Sequence, residues 1–280
     1  MKEFIEHVQK SIYAPEYYRD LLTRPSSYSW KYYASLALFL SVIMTIVSSV
    51  PLLPKVHTEL ARLPEQIVSV YPQDLRIDIK DGHVSTNVTE PYTLPLPVTP
   101  SLLASSSLPR QLLVIDTTNE ITTEQFSSYN SVFWLSRDAL VIADKKEGIR
   151  KVLLSNINTT IDRATLRTLL LEIEPYFVFV SPLLVLGIFS ALLLSFLIML
   201  VYVLFDAILV FLLGKLLKRN WSYGTSYRIC LHAITLPLFI TSIFYLLPFP
   251  EVQLPFLSTA TLLLIVYLNM KETPVVPQSA

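Results

Sequence analysis

The chain has 280 residues, with 22 basic and 22 acidic side chains and a formal net charge of zero. It is 52% hydrophobic and only 16% charged, with a mean hydropathy of +0.50, whereas an average soluble domain is about 25% charged. This composition excludes an ordinary soluble protein, and balanced charge without a basic stripe argues against a nucleic-acid partner.

The N-terminal segment, residues 1–31, is charged throughout and precedes the first apolar run. A cleavable signal peptide would place its apolar core earlier, so we expect the first span to remain as an anchor. Phe4, Val8 and Ile12 share one helical face, and Pro15 is predicted to end that helix. Such an amphipathic segment either lies in the lipid headgroup layer or docks on the protein itself, and the sequence leaves both open.

The first predicted span covers residues 32–53, which are free of charged side chains. About 20 apolar residues are needed to cross roughly 30 Å of hydrocarbon, so this run is long enough. Trp30 and Tyr33 lie at its start, as in an interfacial aromatic belt. Pro51 and Pro54 are predicted to close the span.

A folded insert follows at residues 54–175. Its start, residues 56–70, has apolar residues at helical spacing and is stopped by Pro72. Residues 75–88 alternate apolar and polar side chains around the pair Asp81-Gly82. This pair is typical of a type I′ turn, so a β-hairpin is predicted there.

The rest of the insert predicts a mostly antiparallel sheet with flanking helices. Residues 91–109 contain five prolines and are expected to form an extended surface loop. Four further strands are predicted at residues 111–116, 132–135, 139–143 and 149–154, with a turn at residues 145–148. Thr160 is the expected N-cap of a helix running to Glu174, with Asp162 in its first turn.

Three more spans are predicted after the insert. The apolar stretch 176–217 has no turn signal near its middle, so we expect one long helix that leaves the membrane near Asp206. Spans three and four are predicted at residues 229–247 and 254–268. The tail, residues 269–280, is polar and has no pattern typical of a folded element. The predicted fold is therefore a four-span, mainly α-helical transmembrane bundle with an inserted extracytoplasmic α+β domain.

The orientation follows from the basic residues in short loops, which favour the cytoplasm. The first 31 residues hold five Lys and Arg side chains, and residues 215–228 hold four. The connection between spans three and four holds none. Both termini are therefore expected in the cytoplasm and the insert outside, in a multi-pass protein of the cell membrane.

Several short motifs occur in order along nearly the whole chain. They are Ser11-Ile12-Tyr13-Ala14-Pro15-Glu16-Tyr17-Tyr18 after Phe4, Tyr71-Pro72-Gln73-Asp74-Leu75, Asp81-Gly82, Glu90-Pro91-Tyr92, Val114-Ile115-Asp116-Thr117 and Tyr227-Arg228-Ile229. In these motifs the chain resembles an uncharacterised bacterial membrane-protein family common in Firmicutes. Some members carry the name maltodextrin utilisation protein. The resemblance implies a multi-pass cell-membrane protein, at most a link to sugar uptake, and no catalytic residues.

The candidate intramembrane polar residues are Asp206, Arg228 and His232. An ionisable side chain in an apolar run is costly and is a functional candidate by default. Arg228, His232 and Thr235 share one helical face and, with Asp206, would suit a polar track between two spans. The plainer interpretation, which the sequence favours, pairs Asp206 with Arg228, Arg219 or Lys215 near the cytoplasmic interface.

No catalytic residue, cofactor site or metal site is predicted. The chain lacks the common hydrolase and phosphate-binding motifs, and its single cysteine, Cys230, excludes a cysteine-based metal site. The leading hypothesis is a non-enzymatic binding or accessory protein. Its expected partners are the lipid bilayer and a possible second membrane protein, with no nucleic acid. The alternative is a small transporter or an accessory subunit of a sugar transport system.

Overall fold

The computed structural model describes residues 2–97, 109–144, 148–246 and 256–271. It divides into a helical unit, Met1–Leu52 with Pro182–Ala280, and an α+β unit, Leu53–Ser181. Most of the turn predicted at 145–148, the connection before the last helix and nearly all of the predicted tail lie outside the described residues.

The helical unit begins with two short helices, α1 (Lys2–Ile12) and α2 (Pro15–Thr23). Pro15 is the first residue of α2. Proline suits this position because an N–H group in the first turn has no hydrogen-bond partner within the helix. Ser11, Tyr18 and Leu21 are fully or almost fully buried against the other helices of the unit. Of the two placements that the sequence left open, the structure therefore has the segment docked on the protein itself.

Helix α3 (Ser26–Val70) is continuous over 45 residues. The prediction that Pro51 and Pro54 end a helix near residue 53 was therefore wrong. A proline in a helix removes one backbone hydrogen bond, and apolar helices in membrane proteins tolerate that loss. The carbonyl oxygens that lose a backbone donor in this way are those of Val47 and Val50, four residues before the two prolines.

The α+β unit contains two sheets. Its strands are β1 (Ile77–Lys80), β2 (His83–Thr86), β3 (Tyr92–Pro95), β4 (Gln111–Ile115), β5 (Ser131–Leu135), β6 (Ala139–Asp144), β7 (Gly148–Leu153) and β8 (Thr159–Ile161). The smaller sheet has the order β2-β1-β8, and the larger has the order β3-β4-β5-β6-β7. The predicted hairpin is present, with Lys80 opposite His83 and positive φ at both turn residues, Asp81 and Gly82.

The described strand pairs are mostly antiparallel, as predicted; only β4 and β5 pair in parallel among them, and helix α4 (Thr123–Tyr129) makes the crossover. Two predictions for this unit were wrong. Strand β3 lies inside the segment expected to be a loop, because Tyr92 and Leu94 alternate inward toward the core. Thr160 belongs to β8, and Asp162 instead caps helix α5 (Arg163–Ile173) by accepting a hydrogen bond from the Thr165 amide at 2.7 Å.

The chain returns to the helical unit through a 3₁₀ helix (Glu174–Phe179) and α6 (Val180–Leu216), which is unbroken. It continues with α7 (Tyr223–Ala233), α8 (Thr235–Leu246) and α9 (Leu257–Met270). A proline ring clashes with the carbonyl group four residues earlier in a helix. For Pro237 that residue is Ala233, which is where α7 ends.

The described residues contain two helical runs long and apolar enough to cross a membrane, Ser26–Val70 and Arg163–Leu216. A third span results if α7 and α8, bent by 43°, are counted together. The four predicted spans are not supported, because α9 has only 14 residues and about 20 are needed to cross.

Candidate functional site

An apolar groove lies inside the α+β unit, between the two sheets and the helices that flank them. Its volume is about 420 Å³, which is within the range of about 300–1,000 Å³ typical of small-molecule pockets. Of the sixteen described residues that line it, seven are leucines, five are isoleucines and none is charged. The groove is therefore large enough to hold a small ligand.

The alternation of side chains along the strands creates this groove. Residues two apart in a strand point to the same face, so Ile77 and Ile79 line the groove from β1 while Phe133 and Leu135 line it from β5. Trp134, between the last two, points to the opposite face of the larger sheet and packs with Phe126 of α4. One face of this sheet is thus closed by a helix, and the other borders the groove.

Polar groups are scarce along the groove wall. The Tyr71 hydroxyl donates to the Ile161 carbonyl oxygen at 2.8 Å, so its polar end is already occupied. Burial, with a smaller contribution from the nearby Asp162 carboxylate, raises the pKa of Tyr71 to about 12. Thr159 is the other lining side chain that has a polar atom. A charged or sugar-like ligand would lose its water with almost nothing to replace it, which is unfavourable.

The strongest polar arrangement of the unit surrounds Asp116, which follows β4. Its buried carboxylate accepts hydrogen bonds from the Thr118 hydroxyl at 2.8 Å, from the Asn119 side-chain amide at 2.5 Å and from the Tyr129 hydroxyl. Burial alone would raise the pKa of Asp116, but these hydrogen bonds outweigh it and hold the pKa well below its usual range. The carboxylate is thus fully satisfied and holds the loop to α4, a structural role.

One histidine of this unit contacts a hydroxyl. His57 Nε2 lies 3.0 Å from Ser181 Oγ; His57 is exposed and Ser181 is half-buried. A serine nucleophile requires a base that a third group orients, and no described residue takes that part. The described residues also contain no group of three or more His, Cys, Asp or Glu side chains that would hold a metal ion.

The three predicted polar residues of the helical unit have different hydrogen-bond partners. Asp206 is buried on α6, and its carboxylate accepts a hydrogen bond from Thr259 Oγ1 of α9 at 2.9 Å. In the described part of the chain no ion pair joins Asp206 to Arg228 or Lys215. The partner that the structure gives Asp206 is thus a neutral hydroxyl.

Arg228 tethers the end of the N-terminal segment. Its guanidinium donates to the carbonyl oxygens of Arg24 and Leu22, and to Thr225 Oγ1 at 3.2 Å. These acceptors are neutral, and two of them are carbonyls that the C-terminal end of α2 leaves without helical partners. Arg228 therefore fixes α2 to α7.

His232 is the centre of an aromatic cluster. Its ring stacks on Tyr32 with a centroid distance of 4.4 Å, and its Nδ1 is hydrogen-bonded with the Tyr17 hydroxyl at 2.8 Å. The Tyr32 hydroxyl continues to Ser11 Oγ at 2.9 Å and Thr235 Oγ1 at 2.8 Å. His232 and Thr235 therefore meet at Tyr32, and among the described residues the hydrogen bonds of this cluster lead to Tyr17 and Ser11 and not to Asp206.

Sequence reasoning missed the groove, because its lining residues come from eight separate elements. Each strand alone shows only the alternation expected of a half-buried strand. A usable signal was present in β4, where Leu112, Leu113 and Val114 are apolar in succession. Such a run indicates burial on both faces of the strand.

The comparisons with known proteins give a family and no activity. A family model described as "Protein of unknown function (DUF1189)" matches residues 5–270. No curated protein and no solved structure matches the chain.

Proposed function

The chain belongs to the DUF1189 family, which supplies no activity, and we therefore propose a function from the geometry: a non-enzymatic, membrane-anchored binding protein. Its α+β unit takes up an apolar ligand in the groove. The observation that carries this proposal is the groove of about 420 Å³ without a charged lining residue. The apolar helical runs that flank the unit in sequence hold it at the cell membrane, with the termini in the cytoplasm and the α+β unit outside.

A non-enzymatic function is favoured by the state of the polar side chains. The carboxylate of Asp116 is fully engaged by donors from its own loop and from α4. Neither residue of the His57–Ser181 pair belongs to the groove lining. Neither arrangement presents a nucleophile and a base to a bound ligand.

The test uses a substitution that fills the groove and a matched control on the same helix. Leu166 lines the groove from α5, whereas Leu169, one turn further on, is 40% exposed. The full-length protein is extracted from its native membrane in a mild detergent and weighed by native mass spectrometry. We expect the wild type and Leu169→Trp to retain a bound small molecule that Leu166→Trp has lost. A bound molecule unaffected by Leu166→Trp, or none in any form, contradicts the proposal.

A transport function is the alternative, and the buried carboxylate of Asp206 in an apolar helix supports it. Its support is weaker, because no hydrogen bond or ion pair among the described residues links Asp206 to Arg228 or His232. Asp206→Asn keeps an acceptor for Thr259 while removing the charge. A binding protein retains its ligand in that variant, whereas a proton-coupled carrier loses uptake activity with normal membrane insertion.

A further inference from the structure

We propose that the ligand of the groove is the acyl chain of a membrane lipid; this rests on the proposed binding function and specifies its ligand. The wall of the groove is almost entirely branched aliphatic, with Leu, Ile and Val at thirteen of its sixteen positions. Such a wall gains free energy from any buried hydrocarbon and offers almost no hydrogen bonds.

Other apolar ligands suit this wall less well. A bound peptide would bring backbone N–H and C=O groups into the groove, and each would need a partner there. Thr159 and the engaged Tyr71 supply almost none. A planar aromatic ligand gains from stacking on rings, yet Phe133 and Tyr71 are the only rings that the described residues contribute to the wall. A hydrocarbon chain has no polar groups along its length that need a partner, and it does not depend on ring stacking.

The groove also has a place where a polar headgroup remains outside. Ile157, a lining residue, is 40% exposed and so marks an opening to the surface. Thr159, whose side chain is polar, lies two residues further along the same segment. An acyl chain that enters here keeps its ester and headgroup in water, where no charged lining residue is required.

The bilayer is the source of such a chain. Candidate membrane-crossing helices precede and follow the α+β unit in the sequence, so lipid is the most concentrated hydrocarbon compound within its reach. An acyl chain also tolerates a groove built from several elements, because a flexible chain adapts to its shape.

The experiment measures protection of a cysteine at the opening. Ile157→Cys and the control Leu169→Cys replace side chains with the same 40% exposure. Cys230 is fully buried, and the parent protein measures its background reaction. Each full-length variant is moved from detergent into a lipid-free amphipathic polymer, and its rate of reaction with N-ethylmaleimide is followed. The added compounds are palmitoyl lysophosphatidylglycerol, palmitate, a planar steroid and maltose.

We expect the lysophospholipid to slow the reaction of Ile157→Cys by about tenfold once about 90% of the molecules are occupied, because only the empty fraction reacts. Leu169→Cys should be unaffected, and adding Leu166→Trp should remove the protection. The first comparison requires no groove-filling residue, so it stands even if Leu166→Trp fails to fold.

Each other outcome overturns a stated part of the proposal. Protection by palmitate and not by the lysophospholipid overturns the lipid as source. Protection by the steroid and by neither acyl compound overturns the acyl chain while the proposed binding function survives. Protection by maltose, or by no compound, overturns both.

Discussion

The helical unit and the α+β unit differ in how they use their interiors. The helical unit buries polar side chains that meet across elements, such as Tyr32 with Ser11 and Thr235. The α+β unit keeps its main polar contacts around Asp116 and borders its apolar core with a groove. Buried hydrogen bonds specify one helix arrangement, because any other arrangement leaves them unmade. A groove leaves packing energy unrealised in the protein, which a ligand is able to supply.

The largest expected effect tests the packing side of this comparison. Leu75 is buried in the α+β core, and Leu75→Ala should destabilise the unit by about 2–5 kcal/mol through a new cavity. Leu113 already borders the groove, so Leu113→Ala should cost less than half of that. The difference is measured by thermal unfolding of both full-length variants, with protease cleavage within the α+β unit as the readout of unfolding. Equal losses would mean that the groove is ordinary core.

Asp116→Asn tests whether the carboxylate holds its loop. Hydrogen bonds to charged groups contribute about 1.5–3 kcal/mol each, and a neutral amide also brings donors toward the Tyr129 and Asn119 donors. We expect a loss of about 2–3 kcal/mol at pH 7. An unchanged unfolding midpoint at pH 7 would contradict the structural role.

The same variant predicts a pH dependence. Because the pKa of Asp116 is lowered in the folded protein, its contribution to stability is complete above the ordinary Asp pKa of about 3.9. That contribution is lost as the pH falls below this value toward the folded-state pKa. The wild type should therefore lose more stability on acidification than Asp116→Asn, as unfolding midpoints at pH 6 and at lower pH will measure.

A smaller effect is expected in the helical unit from Asn269→Leu. The buried Asn269 accepts from the Ala14 amide at 2.7 Å and donates to the Ile12 carbonyl at 3.1 Å, across the break between α1 and α2. Both hydrogen bonds, of about 1 kcal/mol each, would be lost together with the one that Asn269 donates to the Ile265 carbonyl at 2.8 Å. Hydrogen exchange of residues 2–24 should become faster, with no change in strands β4 to β6. Unchanged exchange in the N-terminal helices would show that α9 does not hold them.

The smallest effect is expected from Tyr17→Phe. This change removes the hydrogen bond to His232 Nδ1 but keeps the ring contacts, so it should cost about 0.5–1.5 kcal/mol. Tyr13→Phe is the matched control, because Tyr13 is exposed and its hydroxyl is free to contact water. Equal shifts of the unfolding midpoint in detergent for the two variants would contradict a stabilising role of the Tyr17–His232 hydrogen bond.

Prediction from the sequence succeeded where the signal was local. The pair Asp81-Gly82 requires a turn with positive φ, and the structure has both residues in that conformation. A Cβ at Gly82 would also lie 2.7 Å from Ser155 Cα, so two independent constraints select glycine there. The strands that became β4 to β7 were likewise found within a few residues of their bounds.

Prediction failed where the structure depends on contacts between residues that are far apart in the sequence. Thr160 and Asp162 both suit a helix N-cap, and the pairing of Thr160 with Asp78 of β1 assigns the cap to Asp162. The partner of Asp206 is Thr259, 53 positions away and without charge, so no pattern of charges indicates it. The groove depends on the spacing of two sheets, which no single segment encodes.

The most direct test of the binding function is an experimental density map of the full-length protein purified from its own membrane. We expect elongated density along Leu113, Leu140 and Leu166 that no residue of the chain explains. A groove closed by these side chains packing against one another, with no such density, would contradict it.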